Sequence, residues 1–230
     1  MKSIYDVTGT VQNGMWNYDP PYPALSVKPL PPVPWAGVPV YAEIFDGMHS
    51  QTGTYLETPA HVYGVHDPRT YPLIDVPVEK LVHAPCVLFN LPPAKKDASG
   101  ERYAITAEAL EACPGAKAVR EGDALVIGTG WGQYWMDPDY VTHGPYFTKE
   151  AMNWLLSKKP FIIGSDSPRW EHMEKPQGFF SDFYAADVLM LAPMVKLEEV
   201  PFVRCRLTAL PLKVSNTCCA PVRVVLEAEK

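Results

Sequence analysis

The 230 residues predict a single mixed α/β domain, residues 1–230, in which strands outnumber helices. Three observations lead there. Seven short runs rich in β-branched and apolar residues are bounded by Pro, Gly or Asn. Only a few stretches combine a capping residue with an apolar face at helical spacing. Hydrophobic residues make up 47% of the chain and charged residues 20%, enough to bury one substantial core and too apolar for disorder.

A first strand is expected near the start, followed by a proline-rich arm at about residues 17–37. Pro20, Pro21, Pro23, Pro29, Pro31, Pro32 and Pro34 exclude a helix or a central strand there, because each lacks the N–H that a ladder or helix needs. The arm is either an extended surface segment or one that packs on a neighbour or roofs a pocket with Trp16, Tyr18, Tyr22 and Trp35. Strands are then expected over 38–45, 85–91, 123–128, 161–164, 188–191, 203–214 and 221–227. Thr106 is placed to cap a helix over 107–112 that Pro114 and Gly115 end. Thr148 is placed to cap another over 149–158, where Met152, Leu155 and Leu156 share a face and Pro160 stops the run. A shorter helix is expected over 182–186.

Composition narrows the function classes. The formal charge is −6 and the 20 Lys and Arg are scattered, so the chain has no basic footprint for a phosphate backbone and nucleic acid is excluded as an expected partner. No stretch reaches bilayer-spanning length and the opening residues do not form a signal peptide, so no membrane association and a cytoplasmic location are expected. Five cysteines without C-x-x-C spacing predict neither a disulfide framework nor a zinc ribbon. The adjacent Cys218 and Cys219 lie between two strand-like runs, where they are either loop thiols or a soft-metal or redox pair.

The most informative stretch is Gln51-Thr52-Gly53-Thr54-Tyr55-Leu56-Glu57-Thr58-Pro59-Ala60-His61. Further on come Asp123-Ala124-Leu125-Val126-Ile127-Gly128-Thr129-Gly130-Trp131, the turn Gly164-Ser165-Asp166-Ser167-Pro168, and Leu210-Pro211-Leu212-Lys213-Val214 with Ala220-Pro221-Val222-Arg223-Val224. In that order the four blocks resemble the cyclase superfamily, which includes kynurenine formamidases and isatin hydrolases and carries the signature H-x-G-T-H-x-D-x-P-x-H. Gly53, Thr54, Pro59 and His61 match that signature. Gln51 and Tyr55 replace its first two histidines, and Glu57 replaces its aspartate.

The resemblance implies a mixed β-sheet domain of the swivelling β/β/α type and a dimeric or tetrameric homo-oligomer. It also implies hydrolysis of a C–N bond in a small amide, formamide or lactam, with a divalent metal lowering the pKa of water and polarising the carbonyl. The positions of the family's second metal fall at about Phe180 and Ala192, neither of which can ligate. Gln51, Glu57 and His61 would then hold one divalent cation, Mn, Zn or Mg, with the loss of nitrogen donors favouring the harder ions. His49, His66, Glu171 and His172 are further candidates for ligation.

His61 is expected to be catalytic, as base on water or proton donor to the leaving nitrogen, because its ordinary pKa lies near neutrality. The alternative is a histidine satisfied beneath a loop. Glu57 is expected to ligate, to act as base, or to brace a turn. Tyr55, Trp16 and Trp131 are expected around the substrate, with core packing as their alternative, and Asp166 is expected to hold its turn through local backbone bonds. Two other readings keep the scaffold: a metal-independent lyase or isomerase using Glu57 and His61, and a non-catalytic small-molecule binder.

Overall fold

A computed structural model of the chain describes residues 3–35 and 37–229. Its fourteen strands are β1 Ile4–Asp6, β2 Ser26–Pro29, β3 Val33–Trp35, β4 Val38–Val40, β5 Glu43–Asp46, β6 Tyr55–Glu57, β7 Ala84–Asn90, β8 Ala104–Ile105, β9 Ala124–Gly128, β10 Tyr146–Phe147, β11 Ile162–Ser165, β12 Leu189–Ala192, β13 Arg204–Pro211 and β14 Cys219–Ala228. Four α-helices, α1 Ala60–Tyr63, α2 Ala107–Ala112, α3 Lys149–Ser157 and α4 Phe180–Ala185, complete the regular structure with several short 3₁₀ turns.

The main sheet closes on itself. Its order is β14-β13-β7-β9-β11-β12-β6, and β6 pairs back onto β14, giving a seven-stranded barrel with β1 added along the later part of β14. The run β7-β9-β11-β12 is parallel, and the pairings through β13, β14 and β6 are antiparallel. Closure removes the sheet edges that would otherwise expose unpaired backbone.

Alternation along the strands sorts the core into two layers. Leu56, Leu88, Val126, Ile162, Leu191, Leu207 and Val224, one or more from each barrel strand, pack into the interior. The intervening residues Val87, Phe89, Leu125, Ile127, Ile163 and Met190 face outward and are covered by Leu110 of α2, Met152 and Leu155 of α3, and Phe183 of α4. The two expected caps form, with Thr106 and Thr148 Oγ1 accepting from the N–H of Ala109 and Ala151.

The proline-rich segment stays outside the barrel, as expected from its missing N–H groups, but it is not featureless. It forms two small antiparallel ribbons, β2 with β5 and β3 with β4, so the single strand expected over 38–45 is split in two. The side chain of Trp35 lies outside the described residues. No described helix is long and apolar enough to cross a membrane.

Candidate active site

Glu57 ends β6 with its side chain on the outer face of the barrel, and Pro59 then turns the chain into the one-turn helix α1 that carries His61. The i, i+4 spacing across this strand-to-helix turn brings His61 Nδ1 to 3.4 Å from Glu57 Oε2. Both side chains line a cavity of about 580 Å³, together with Gln51, Tyr55, Tyr18, Tyr22, Arg169, Trp170, Phe180 and Tyr184. The imidazole remains about a third exposed while Glu57 is almost fully buried.

A buried carboxylate must be satisfied. Gln51 Nε2 donates to Oε2 at 3.1 Å, and the Tyr184 hydroxyl, reaching over from α4, donates to Oε1 in a short hydrogen bond. Burial pushes the Glu57 pKa up to about 7, against the opposing pull of His61 and of the Tyr184 and Gln51 donors. Burial opposes protonation of His61, yet its contact with Cys218 and the charge of Glu57 outweigh this and hold its pKa above the usual value.

Tyr55 sits beside this pair but aims its hydroxyl at Tyr18, 3.1 Å away, and Tyr18 in turn donates to the Pro168 carbonyl. The arm therefore does contribute to the cavity, through Tyr18, Asp19, Pro20 and Tyr22. Trp16 and Trp131, expected around the substrate, are not among the lining residues. Their indoles fill a separate aromatic core with Trp135 and Tyr140, in which Trp131 Nε1 donates to the Tyr140 carbonyl. Packing consumes the area that a ligand would have used.

The donor chemistry around Gln51, Glu57 and His61 does not fit a metal held by those three. Gln51 presents an N–H rather than a carbonyl oxygen to Glu57, and the Tyr55 hydroxyl is turned to Tyr18, so Glu57 and His61 are left as a two-member set. The auxiliary candidates are engaged elsewhere or lie apart: His49 bonds to Asn17, Glu171 Oε1 accepts from the Phe179 N–H, His172 lines the cavity but its Nδ1 accepts from the Glu174 N–H, and His66 does not line the cavity. Phe180 does line the cavity, and Ala192 is the register partner of Tyr55, so the positions where a second metal's ligands would fall are beside the site but carry no donors.

Cys218 and Cys219, left in the sequence between loop thiols and a soft-metal or redox pair, reach the site from the other end of the chain. Cys219 is the register partner of Glu57 across the β14–β6 seam, and the Thr58 N–H donates to the Cys218 carbonyl at 2.9 Å. Cys218 Sγ consequently lies 3.7 Å from His61 Nδ1 and 3.7 Å from Cys219 Sγ. Hydrogen bonding from Cys219 and the neighbouring His61 lower the Cys218 thiol to about 5 despite partial burial. The family-like run Ala220-Pro221 in β14 marks the seam; nothing local to the two cysteines announces their approach to His61.

Asp166 works across strands rather than within its own turn. It accepts from Thr129 N at 2.8 Å, Thr129 Oγ1 at 2.9 Å and Trp131 N at 3.0 Å, tying the end of β11 to the turn after β9. Arg102, also buried, donates to the carbonyls of Gly144, Pro145, Arg169 and Glu171 and so clamps the loop that forms one cavity wall.

No curated protein matches the chain. Among solved structures, the fold is similar to an isatin hydrolase bound to the product analogue thioisatinate, with a TM-score of 0.78 at 21% identity over 99% of this chain and 92% of that one. It is likewise similar to isatin hydrolase A from Labrenzia aggregata, with a TM-score of 0.77 at 20% identity over 99% and 94% of the two chains. A predicted metal-dependent hydrolase from Bacillus stearothermophilus gives 0.71 at 23% identity over 97% of each chain. The family profile described as putative cyclase matches residues 5–172. Barrel, motif frame and profile agree, and the chain belongs to the putative cyclase family.

Proposed function

We propose that this chain is a hydrolase that opens the C–N bond beside the carbonyl of a small amide, formamide or lactam. The observation that carries the reading is the Glu57–His61 pair, 3.4 Å apart on the wall of a cavity whose other walls are largely aromatic. Tyr18, Tyr22, Trp170, Phe180 and Tyr184 suit a planar ring, and about 580 Å³ lies in the range of small-ligand pockets.

Glu57 takes the proton from the attacking water, and the new C–O bond forms as the carbonyl electrons move to oxygen. Protonated His61 supplies positive charge toward that oxygen, with Arg169, itself paired with Asp19, on the same cavity wall. The C–N bond then breaks and the leaving nitrogen receives the proton, so the net change is the addition of one water. Gln51 and Tyr184 hold the carboxylate in place throughout. No step is assigned to a metal on Gln51, Glu57 and His61, since Gln51 turns its N–H rather than its carbonyl oxygen toward Glu57 and leaves that set one ligand short.

The same reading takes the chain as a cytoplasmic homo-oligomer. The exposed Val38, Tyr41, Ile44 and Phe45 of the outer ribbons support a contact with a second copy.

The test is incubation of the purified protein with isatin, N-formylkynurenine and simple lactams, with products identified by mass. A product heavier than its substrate by one water supports the reading. Elimination or isomerisation products would transfer the pair to lyase or isomerase chemistry, and tight binding without turnover would make the chain a binder.

A further inference from the structure

We propose that His61, Cys218 and Cys219 form a binding site for one zinc ion, seated across the β14–β6 seam beside Glu57. One ligand atom from each of the three residues lies within 4.8 Å of the others. A tetrahedral zinc with Zn–S of about 2.3 Å and Zn–N of about 2.0 Å requires its sulfurs to stand roughly 3.8 Å apart and each sulfur roughly 3.5 Å from the nitrogen. The observed separations are 3.7 Å between the sulfurs and 3.7 Å from Cys218 Sγ to His61 Nδ1. Two of the three separations thus already match, and the third, Cys219 Sγ to the imidazole, lies within 4.8 Å and closes to about 3.5 Å by side-chain rotation when the ion enters.

The site is preformed by backbone rather than by the thiols themselves. Cys219 is fixed by its register with Glu57, Cys218 by the Thr58 N–H on its carbonyl, and the turn between them and Thr217 by the Thr217 hydroxyl donating to the Cys219 carbonyl. Two thiolates and an imidazole prefer zinc to the manganese or magnesium suited to carboxylate and amide oxygens. Binding takes both cysteines as thiolates and His61 as the neutral imidazole, so whatever protons these three groups hold are released to solvent.

Three protein ligands leave a fourth position, the pattern of a catalytic rather than a structural zinc. Glu57 Oε2, 3.4 Å from the ligating Nδ1, is the carboxylate beside it. The inference deepens the hydrolase reading, in which the ion would take the place of the His61 proton and leave Glu57 as the base. Its geometric support is independent of that reading.

The test is a cobalt titration of the full-length protein after metal removal by a chelator. One equivalent of cobalt per chain should produce a thiolate-to-cobalt charge-transfer band that zinc abolishes. Cys218→Ser and Cys219→Ser should each weaken binding by more than about 100-fold, beyond the loss expected for an outer hydrogen bond, while Gln51→Ala retains the band. In the wild-type protein zinc should also protect both thiols from alkylation, a readout that needs no variant to fold. Cobalt bound without the band, or binding that survives the double serine variant, overturns the site. A protein that shows the band but turns over no amide supports the site and counts against the hydrolase reading; amide turnover with no thiolate-bound metal does the reverse.

Discussion

Cys219 on β14 stands opposite Glu57 on β6 in the barrel's closing seam. This one register places a thiol pair from the end of the chain beside the carboxylate and imidazole of the motif. It also explains how Glu57 can be almost fully buried and still reach His61, Gln51 and Tyr184, because seam, helix α4 and helix α1 meet around a single side chain.

Tyr184→Phe removes the hydroxyl that donates to Glu57 Oε1 while keeping the ring against Phe180. A buried carboxylate oxygen loses a donor, which costs about 1.5–3 kcal/mol. Thermal melting should fall by several degrees. Turnover should drop as well, since Glu57 loses one of the bonds that aims it, but it should not vanish. An unchanged melting temperature would show that the hydroxyl contributes nothing to holding Glu57.

Arg102→Ala leaves the carbonyls of Gly144, Pro145, Arg169 and Glu171 without their shared donor. The expected loss is at least about 3 kcal/mol of stability by denaturant titration, accompanied by a raised KM because the wall carrying Arg169 and Trp170 loosens. Arg102→Lys should recover only a minor part, as one ammonium cannot span four acceptors arranged around a planar fork.

Asp166 gives the stability a pH signature. Burial raises its pKa to about 6 from an ordinary value of 3.8, while the Thr129 and Trp131 donors pull the other way. The folded chain thus binds this proton more tightly than the unfolded chain, and its contribution, full below about pH 4, is lost as pH rises toward about 6. Subtracting Asp166→Asn from wild type in urea titrations across this window should expose the slope. The variant should be less stable at pH 7, where its amide meets three N–H or O–H donors with a single acceptor oxygen. A pH-independent difference would show that Asp166 has the same pKa folded and unfolded.

All the barrel strands except the three-residue β6, and both capped helices, were legible because each rests on local signals: β-branched runs with punctuation at their ends, and Thr at the N-cap. The motif reading also anticipated that Gln51, Tyr55, Glu57 and His61 gather at one place, since they are bound together by a tight strand-to-helix turn. What escaped was long-range. The fate of Trp16 and Trp131 was decided by Trp135 and Tyr140, against which they pack. Cys218 and Cys219 joined His61 only through barrel closure, and no periodicity within a strand encodes which distant strand lies beside it. The four-residue α1 carrying His61 lacks both a side-chain cap and a repeating apolar face, the two features by which a helix is recognised in sequence.

The most direct measurement is kcat/KM for hydrolysis of isatin or a related small amide by wild type and Glu57→Gln, with folding of the variant checked by circular dichroism. With Glu57 accepting the proton of water, the substitution should lower kcat/KM by about 100-fold or more. A folded Glu57→Gln protein that hydrolyses the substrate as fast as wild type would contradict the account.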